Sequence, residues 1–190
     1  LKEYLKQLNK IGVDALIVQD MGAVEIIKKT VPDMTLHAST QMTVTSLEGV
    51  KYLEDMGFSR VVLARELSEK EIEHICKNAK AEIEVFVHGA ICMCYSGQCL
   101  MSSILGGRSG NRGRCAQPCR LPYDLLENGK TVKSGYVLSP KDMALMNDLG
   151  TLKRIGVTSL KIEGRLKRAE YVSAVVGVYR KYLDKGGNVS

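Results

Sequence analysis

Short apolar runs alternate with helical stretches along most of this chain, one pair every roughly 22–25 residues. Residues 14–18 (DALIV) precede a helical stretch over 23–29, and residues 35–37 precede one over 44–56. Residues 60–64 (RVVLA) lead to Ser68, Glu69, Lys70 and Glu71, a capping-box pattern opening a helix that runs to residue 79. Residues 83–87 (IEVFV) follow, and there a stretch rich in Gly, Cys and Arg interrupts the rhythm. Beyond it, residues 123–126 and 132–135 flank Asn128-Gly129, a strong hairpin signal. Residues 136–138 then lead to a helix near 143–155, and residues 159–162 to a last helix over 168–183. Such alternation predicts parallel strands joined by crossover helices. The nearly unbroken apolar runs predict strands covered on both faces. The expected fold is therefore α/β: one TIM-barrel-like (β/α) repeat over 1–190, incomplete at the N-terminus, with a Cys-rich insertion over 90–122 and a small β-hairpin. No G-x-G-x-x-G follows the first strand, which leaves a dinucleotide-binding sheet without direct support.

A chain of 190 residues suffices for one domain with a real core, which Leu, Ile, Val and Met must fill because there are two Phe and no Trp. No apolar stretch reaches the length of about 18–20 residues that a membrane span needs. Lys2 and Glu3 at the start are unlike a signal peptide, and the chain opens in mid-pattern without Met. The expectation is a cytoplasmic protein, represented by a fragment, with no membrane partner.

Polar residues gather where each strand should end. Gln19 and Asp20 follow the first, His37, Ser39, Thr40 and Gln41 the second, and Arg65 and Glu66 the third. His88 and Gly89 end the fourth, Ser139, Lys141 and Asp142 follow the fifth, and Lys161, Glu163, Gly164 and Arg165 close the sixth. Carboxyl ends of strands converge on the active site in this fold class. His37, Arg65, His88, Lys161, Glu163 and Arg165 are thus the candidate catalytic set, a basic pocket suited to a small carboxylate-bearing molecule. Ser139 and Asp142 read equally well as helix caps, and Arg65 and Glu66 as a pair with each other. His74, inside a helical pattern, reads as a surface or packing residue.

Five of the six cysteines lie between positions 92 and 119, spaced Cys92-x6-Cys99-x15-Cys115-x3-Cys119 with Cys94 inside the first interval. Clustered cysteines in a chain of cytosolic type point to metal or redox chemistry more than to disulfides, which remain the plain alternative. All-cysteine zinc sites use two C-x2–4-C knuckles, and Cys115/Cys119 alone resembles one. A [4Fe–4S] site tolerates wider, uneven spacing. Pro122 stands where a C-x3-C-x2-C run would need its third cysteine. Cys94 and Cys76 are weaker candidates. The net charge of +6 is concentrated here: from 101 to 122 there is no Asp or Glu but Arg108, Arg112, Arg114 and Arg120, which read as a solvated loop or as an anion and RNA surface.

The run Glu84-Val85-Phe86-Val87-His88-Gly89-Ala90-Ile91-Cys92, continuing through Gly97, Cys99 and Ser102, closely resembles the signature of the peptidase U32 family. The stretches HASTQM (37–42), VLARELS (62–68), GGRSGNRGRCAQPCR (106–120), LSPKDM (138–143) and SLKIEGR (159–165) resemble the same family. The resemblance implies a [4Fe–4S] cluster on Cys92, Cys99, Cys115 and Cys119, with prephenate as oxygen donor in oxygen-independent hydroxylation. RNA, tRNA most of all, is the implied partner, held by Arg108, Arg112, Arg114 and Arg120; a partner subunit of the same family is a further expectation. The family label itself implies a collagenase-like peptidase, yet the sequence holds no G-x-S-x-G, no H-E-x-x-H and no evident Cys–His dyad. A non-catalytic metal- or RNA-binding module is the third reading.

Overall fold

The structure, a computed structural model, describes residues 1–164 and 167–185. Its elements run α1 (Lys2–Lys10), β1 (Leu16–Val18), α2 (Met21–Thr30), β2 (Leu36–Ala38), α3 (Leu47–Asp55), β3 (Arg60–Val62), α4 (Glu69–Asn78) and β4 (Glu82–Gly89). Then come α5 (Met101–Gly106), β5 (Tyr123–Glu127), β6 (Lys130–Gly135), β7 (Met143–Ala144), α6 (Leu149–Arg154), β8 (Ser159–Ile162) and α7 (Ala169–Asp184).

The helices begin where side chains can satisfy their first N–H groups. Asp20 accepts from the Ala23 N–H at 2.7 Å and Ser46 from the Gly49 N–H at 3.2 Å. Ser68 and Glu71 complete the reciprocal capping box of α4. Between the helices, β1, β2, β3 and β4 pair in parallel and in sequence order, and β8 runs parallel along the other edge of β4. Ile17, His37, Arg60 and Glu82 stand in one cross-strand row. The core lies between sheet and helices: Val61, Ile83 and Val87 of the strands pack with Val24, Val50 and Ile75 of α2, α3 and α4, each at most 2% exposed. The α/β alternation and parallel sheet expected from the sequence are present. Among the described residues no pairing joins β1 to β8. No described helix is long and apolar enough to cross a membrane.

One element was not foreseen and two expectations need correction. The strand–helix rhythm does not announce α1, which docks through buried Leu5. Residues 136–138 form a turn, not a strand, and the fifth strand is the two-residue β7, antiparallel to β4. Its helix shrinks to α6. The cause is Arg120, whose guanidinium ties Ser139, the Pro140 carbonyl and Asp142 to the cysteine segment. Residues 139–142 are thereby held beside the cysteine loop, and Pro140 has no N–H to give a ladder. The hairpin forms as expected: Asn128 and Gly129 both take positive φ, 48° and 77°, as a tight turn requires.

Candidate functional site

At eight residues β4 is the longest strand, and residues 90–122 leave the sheet from its carboxyl end. Two glycines fix that departure. A Cβ on Gly89 (φ +110°) would lie 2.6 Å from the Glu163 carbonyl oxygen, and one on Gly97 (φ +77°) 2.4 Å from that of Gln41. The cysteine loop therefore rides in backbone contact with the ends of β2 and β8, an approach open to glycine alone. Ser96, 1% exposed, anchors the loop between them. Its N–H and hydroxyl donate to the Glu66 carboxylate at 3.0 and 3.2 Å, and its carbonyl accepts from the Thr43 hydroxyl at 2.5 Å.

The consequence is one cavity of about 120 Å³ with Cys92, Cys99, Cys115 and Cys119 all on its wall, joined by Arg65, Glu163, Gln41 and Arg120. α5 helps place the second half of the quartet: the Ser102 hydroxyl accepts from the Ala116 N–H at 2.9 Å. Cys94 faces a different hollow, beside Glu66 and Tyr95, and Cys76 sits half-buried on α4. Burial raises the Cys119 thiol pKa; the Arg120 charge lowers it in part, and the three other thiols push it further up.

Among the described residues no three His, Cys, Asp or Glu side chains converge tightly enough to hold one metal ion. Four cysteines on one cavity wall are a donor set that metal centres use, on one ion in a zinc site and on separate irons in a cluster. Arg65 Nη1 reaches Cys92 Sγ at 3.3 Å and the Gln117 N–H reaches Cys115 Sγ at 3.3 Å, contacts of the kind that tune metal thiolates. Arg65 Nε and Gln41 Oε1, buried atoms of two residues that line the cavity, have no hydrogen-bond partner among the described residues.

Of the candidate catalytic set, Arg65 and Glu163 reach this cavity. Arg65 does not pair with Glu66; it lies over the Phe86 ring at 4.3 Å and donates to the Ala90 carbonyl at 3.3 Å. His88 is elsewhere: its ring nitrogens lie 3.3 and 3.0 Å from the hydroxyls of Tyr179 and Tyr171 on α7. His37 stands lower on the sheet beside Arg60, and Lys161 spends its charge on Glu84 at 2.8 Å. Arg165 lies outside the described residues. Arg108, Arg112 and Arg114 are exposed on the cysteine segment, whereas Arg120 is the clamp onto Ser139, Asp142 and the Ile91 carbonyl. Ser139 and Asp142 accordingly cap no helix; Asp142 pairs with Arg120 at 3.2 Å. Gln41, Phe86 and Ser96 are the members that the strand-end reading leaves out of its candidate set. Only Gln41 carries a sequence signal, its place just past the second strand.

Comparison with known proteins agrees with the quoted motifs. The pattern of peptidase family U32 matches residues 1–189. The chain is 47% identical over 182 residues to the 23S rRNA 5-hydroxycytidine C2501 synthase of Escherichia coli, covering 95% of this chain and 27% of that protein. It is 40% identical to tRNA hydroxylation protein P1 of Bacillus subtilis, covering 97% of this chain and 46% of the relative. It is 30% identical to a collagenase of Porphyromonas gingivalis, covering 97% and 47%. The chain thus spans between about a quarter and a half of these relatives' lengths. With the pattern running along nearly its whole length, the chain belongs to peptidase family U32.

Proposed function

We propose that this chain serves oxygen-independent hydroxylation of an RNA base, tRNA uridine foremost, with a [4Fe–4S] cluster and prephenate as oxygen donor. One observation carries the reading: four cysteines from separate turns of residues 90–122 surround a single cavity that also holds Arg65 and Glu163. Cys92, Cys99, Cys115 and Cys119 would hold the cluster, which when bound supplies redox-active iron beside the ligand. Residues 90–122 act as a cluster-binding insertion within one domain. Arg65, held over Phe86 and aimed at the wall, binds a carboxylate of the donor. Exposed Arg108, Arg112 and Arg114 bind RNA phosphates, which fixes the position of the nucleic acid and leaves base choice to other contacts. Free thiolate ligands suit a reducing compartment such as the cytoplasm. The relatives named for rRNA and tRNA hydroxylation support the RNA half of this reading.

The peptidase reading rests on the relative named collagenase. It lacks a matching constellation, since neither His37, His74 nor His88 lines the cavity of the thiols. The test is anaerobic purification with iron and sulfide analysis, then nucleoside mass spectrometry of RNA treated with the protein and prephenate. About four irons per chain, lost in Cys99→Ala and Cys115→Ala, are expected. Arg65→Ala should keep the iron and lose the hydroxylated nucleoside. A protein that stays iron-free after reconstitution, or peptide cleavage that persists without iron, would sink the proposal.

A further inference from the structure

A second hollow, of about 540 Å³, adjoins the thiol cavity and shares Arg65, Ile91, Cys92 and Tyr95 with it. Met93, Cys94 and Glu66 complete its wall. It presents an aromatic ring 62% exposed, a thioether 45% exposed and an exposed carboxylate. Tyr95 stands on a fixed backbone. Its carbonyl accepts from the Gln98 N–H at 3.1 Å, closing a turn over Gly97, and the Gln98 side chain donates to the Thr43 hydroxyl at 2.9 Å. Among the described residues no hydrogen bond or ring contact engages the Tyr95 side chain itself. A ring so presented loses little freedom when a flat ligand stacks on it. The Ser96 N–H and hydroxyl give Glu66 two donors, whereas a carboxylate has about four acceptor sites, so Glu66 can take a further N–H from the hollow. With Arg65 given to the donor in the thiol cavity, Glu66 sets the sign of charge here, which disfavours a phosphate or carboxylate ligand. Ring and thioether favour a flat, uncharged one. Positive charge lies next door: Asn111 and Cys115 line the adjoining cavity, and exposed Arg112 and Arg114 neighbour them in the chain. A flat ring bearing N–H groups, carried on a phosphate chain, meets both surfaces.

We propose that this hollow takes one unstacked RNA base, its face against Tyr95 and Met93 and an N–H of its edge donating to the Glu66 carboxylate. This rests on the RNA reading of the chain and supplies what the phosphate contacts leave open, the seat of the base. A base held there lies against Cys92, which the hollow shares with the quartet's cavity, so nucleotide and donor meet across one wall. Stacking on an aromatic ring tolerates any base, whereas Glu66 selects an edge that carries a donor, as uracil does at N3.

The test uses the anaerobically reconstituted chain and three single strands of about 12 nucleotides, of uridine, of 3-methyluridine and of abasic ribose phosphate, with Kd measured by fluorescence anisotropy. The unaltered protein is expected to bind oligouridine about thirtyfold more tightly than the abasic strand and about threefold more tightly than the methylated one. Tyr95→Ala should cut the preference over the abasic strand to about threefold, with the abasic Kd changed less than about twofold and the iron content intact. Tyr95→Phe, which keeps the ring, should keep the preference. Arg112→Ala should weaken all three strands alike and lower the salt slope by about 0.7. A preference for bases that survives Tyr95→Ala, or equal binding of oligouridine and the abasic strand, overturns the base site, while salt-dependent binding leaves the RNA reading standing. Equal binding of uridine and 3-methyluridine overturns the part given to Glu66. If no strand binds a fully iron-loaded protein, the RNA reading and the base site fall together.

Discussion

Single residues decide whether the cysteine quartet assembles. Gly97 and Gly107 both take positive φ, +77° and +63°, but a Cβ at Gly97 would strike the Gln41 backbone whereas one at Gly107 meets open space. Gly97→Ala should therefore cost about 3 kcal/mol and lower iron loading, because strain and overpacking add. Gly107→Ala should cost only the left-handed backbone, about 1 kcal/mol, with iron retained. Urea unfolding and iron analysis on the two variants check this; equal losses would mean that the loop is not seated on β2 as described. The candidate quartet was legible through its spacing together with the resemblance to family U32, which set Cys92, Cys99, Cys115 and Cys119 ahead of Cys94 and Cys76, and these four line one cavity. The roles of His88 and Arg120 were not. His88 is claimed by Tyr171 and Tyr179, 83 and 91 residues later, and no local pattern announces such partners. Arg120 looked like free positive charge because counting charges does not count the carbonyls that a guanidinium will meet at 91 and 140.

Elements obey local chemistry where that chemistry is strong. The capping box of α4 and the Asn128-Gly129 turn were readable because each rests on residues a few positions apart. Ser68→Ala removes the hydroxyl that pairs with the Glu71 N–H and carboxylate, and should destabilise the protein by about 1 kcal/mol. Serine-to-glycine at the same site should cost only a few tenths. Equal urea midpoints for Ser68→Ala and the unaltered chain would show that α4 is held by Ile75 and its core partners alone. β7 was unreadable for the converse reason. Its two residues pair with His88 and Gly89, more than fifty residues away, and the residues just before it are held by Arg120, contacts across the fold that its own sequence does not announce.

The whole molecule joins these levels through the sheet, which carries a charged row below the cavity and the ligand-facing residues above it. His37, Arg60, Glu82, Glu84 and Lys161 come from four strands, so the row exists only when the sheet does. Glu84, 7% exposed, accepts from Lys161 and Ser159 at 2.8 Å each and lies 3.5 Å from Arg60. Burial alone would raise its pKa, but those bonds and charges outweigh it and hold the carboxyl below its ordinary 4.5. His37 is held below its ordinary 6.5, first by burial and then by the Arg60 charge, with Glu84 and Glu82 opposing and Lys161 assisting. Both groups therefore bind protons more readily in the unfolded chain, and stability must fall on acidification. The His37 contribution is complete above about pH 6.5 and is lost as the pH drops through its lower folded value; that of Glu84 is complete above about 4.5 and is lost below it. His37→Gln should flatten the decline in urea midpoint between about pH 7 and 5 and leave the steeper acid loss in place. Glu84→Gln should lower stability at neutral pH, by about 2 kcal/mol for a buried carboxylate with charged partners, and flatten the acid limb instead. If His37→Gln leaves the slope between pH 7 and 5 unchanged, protons taken up elsewhere govern it, and the charged row does not link the sheet to pH.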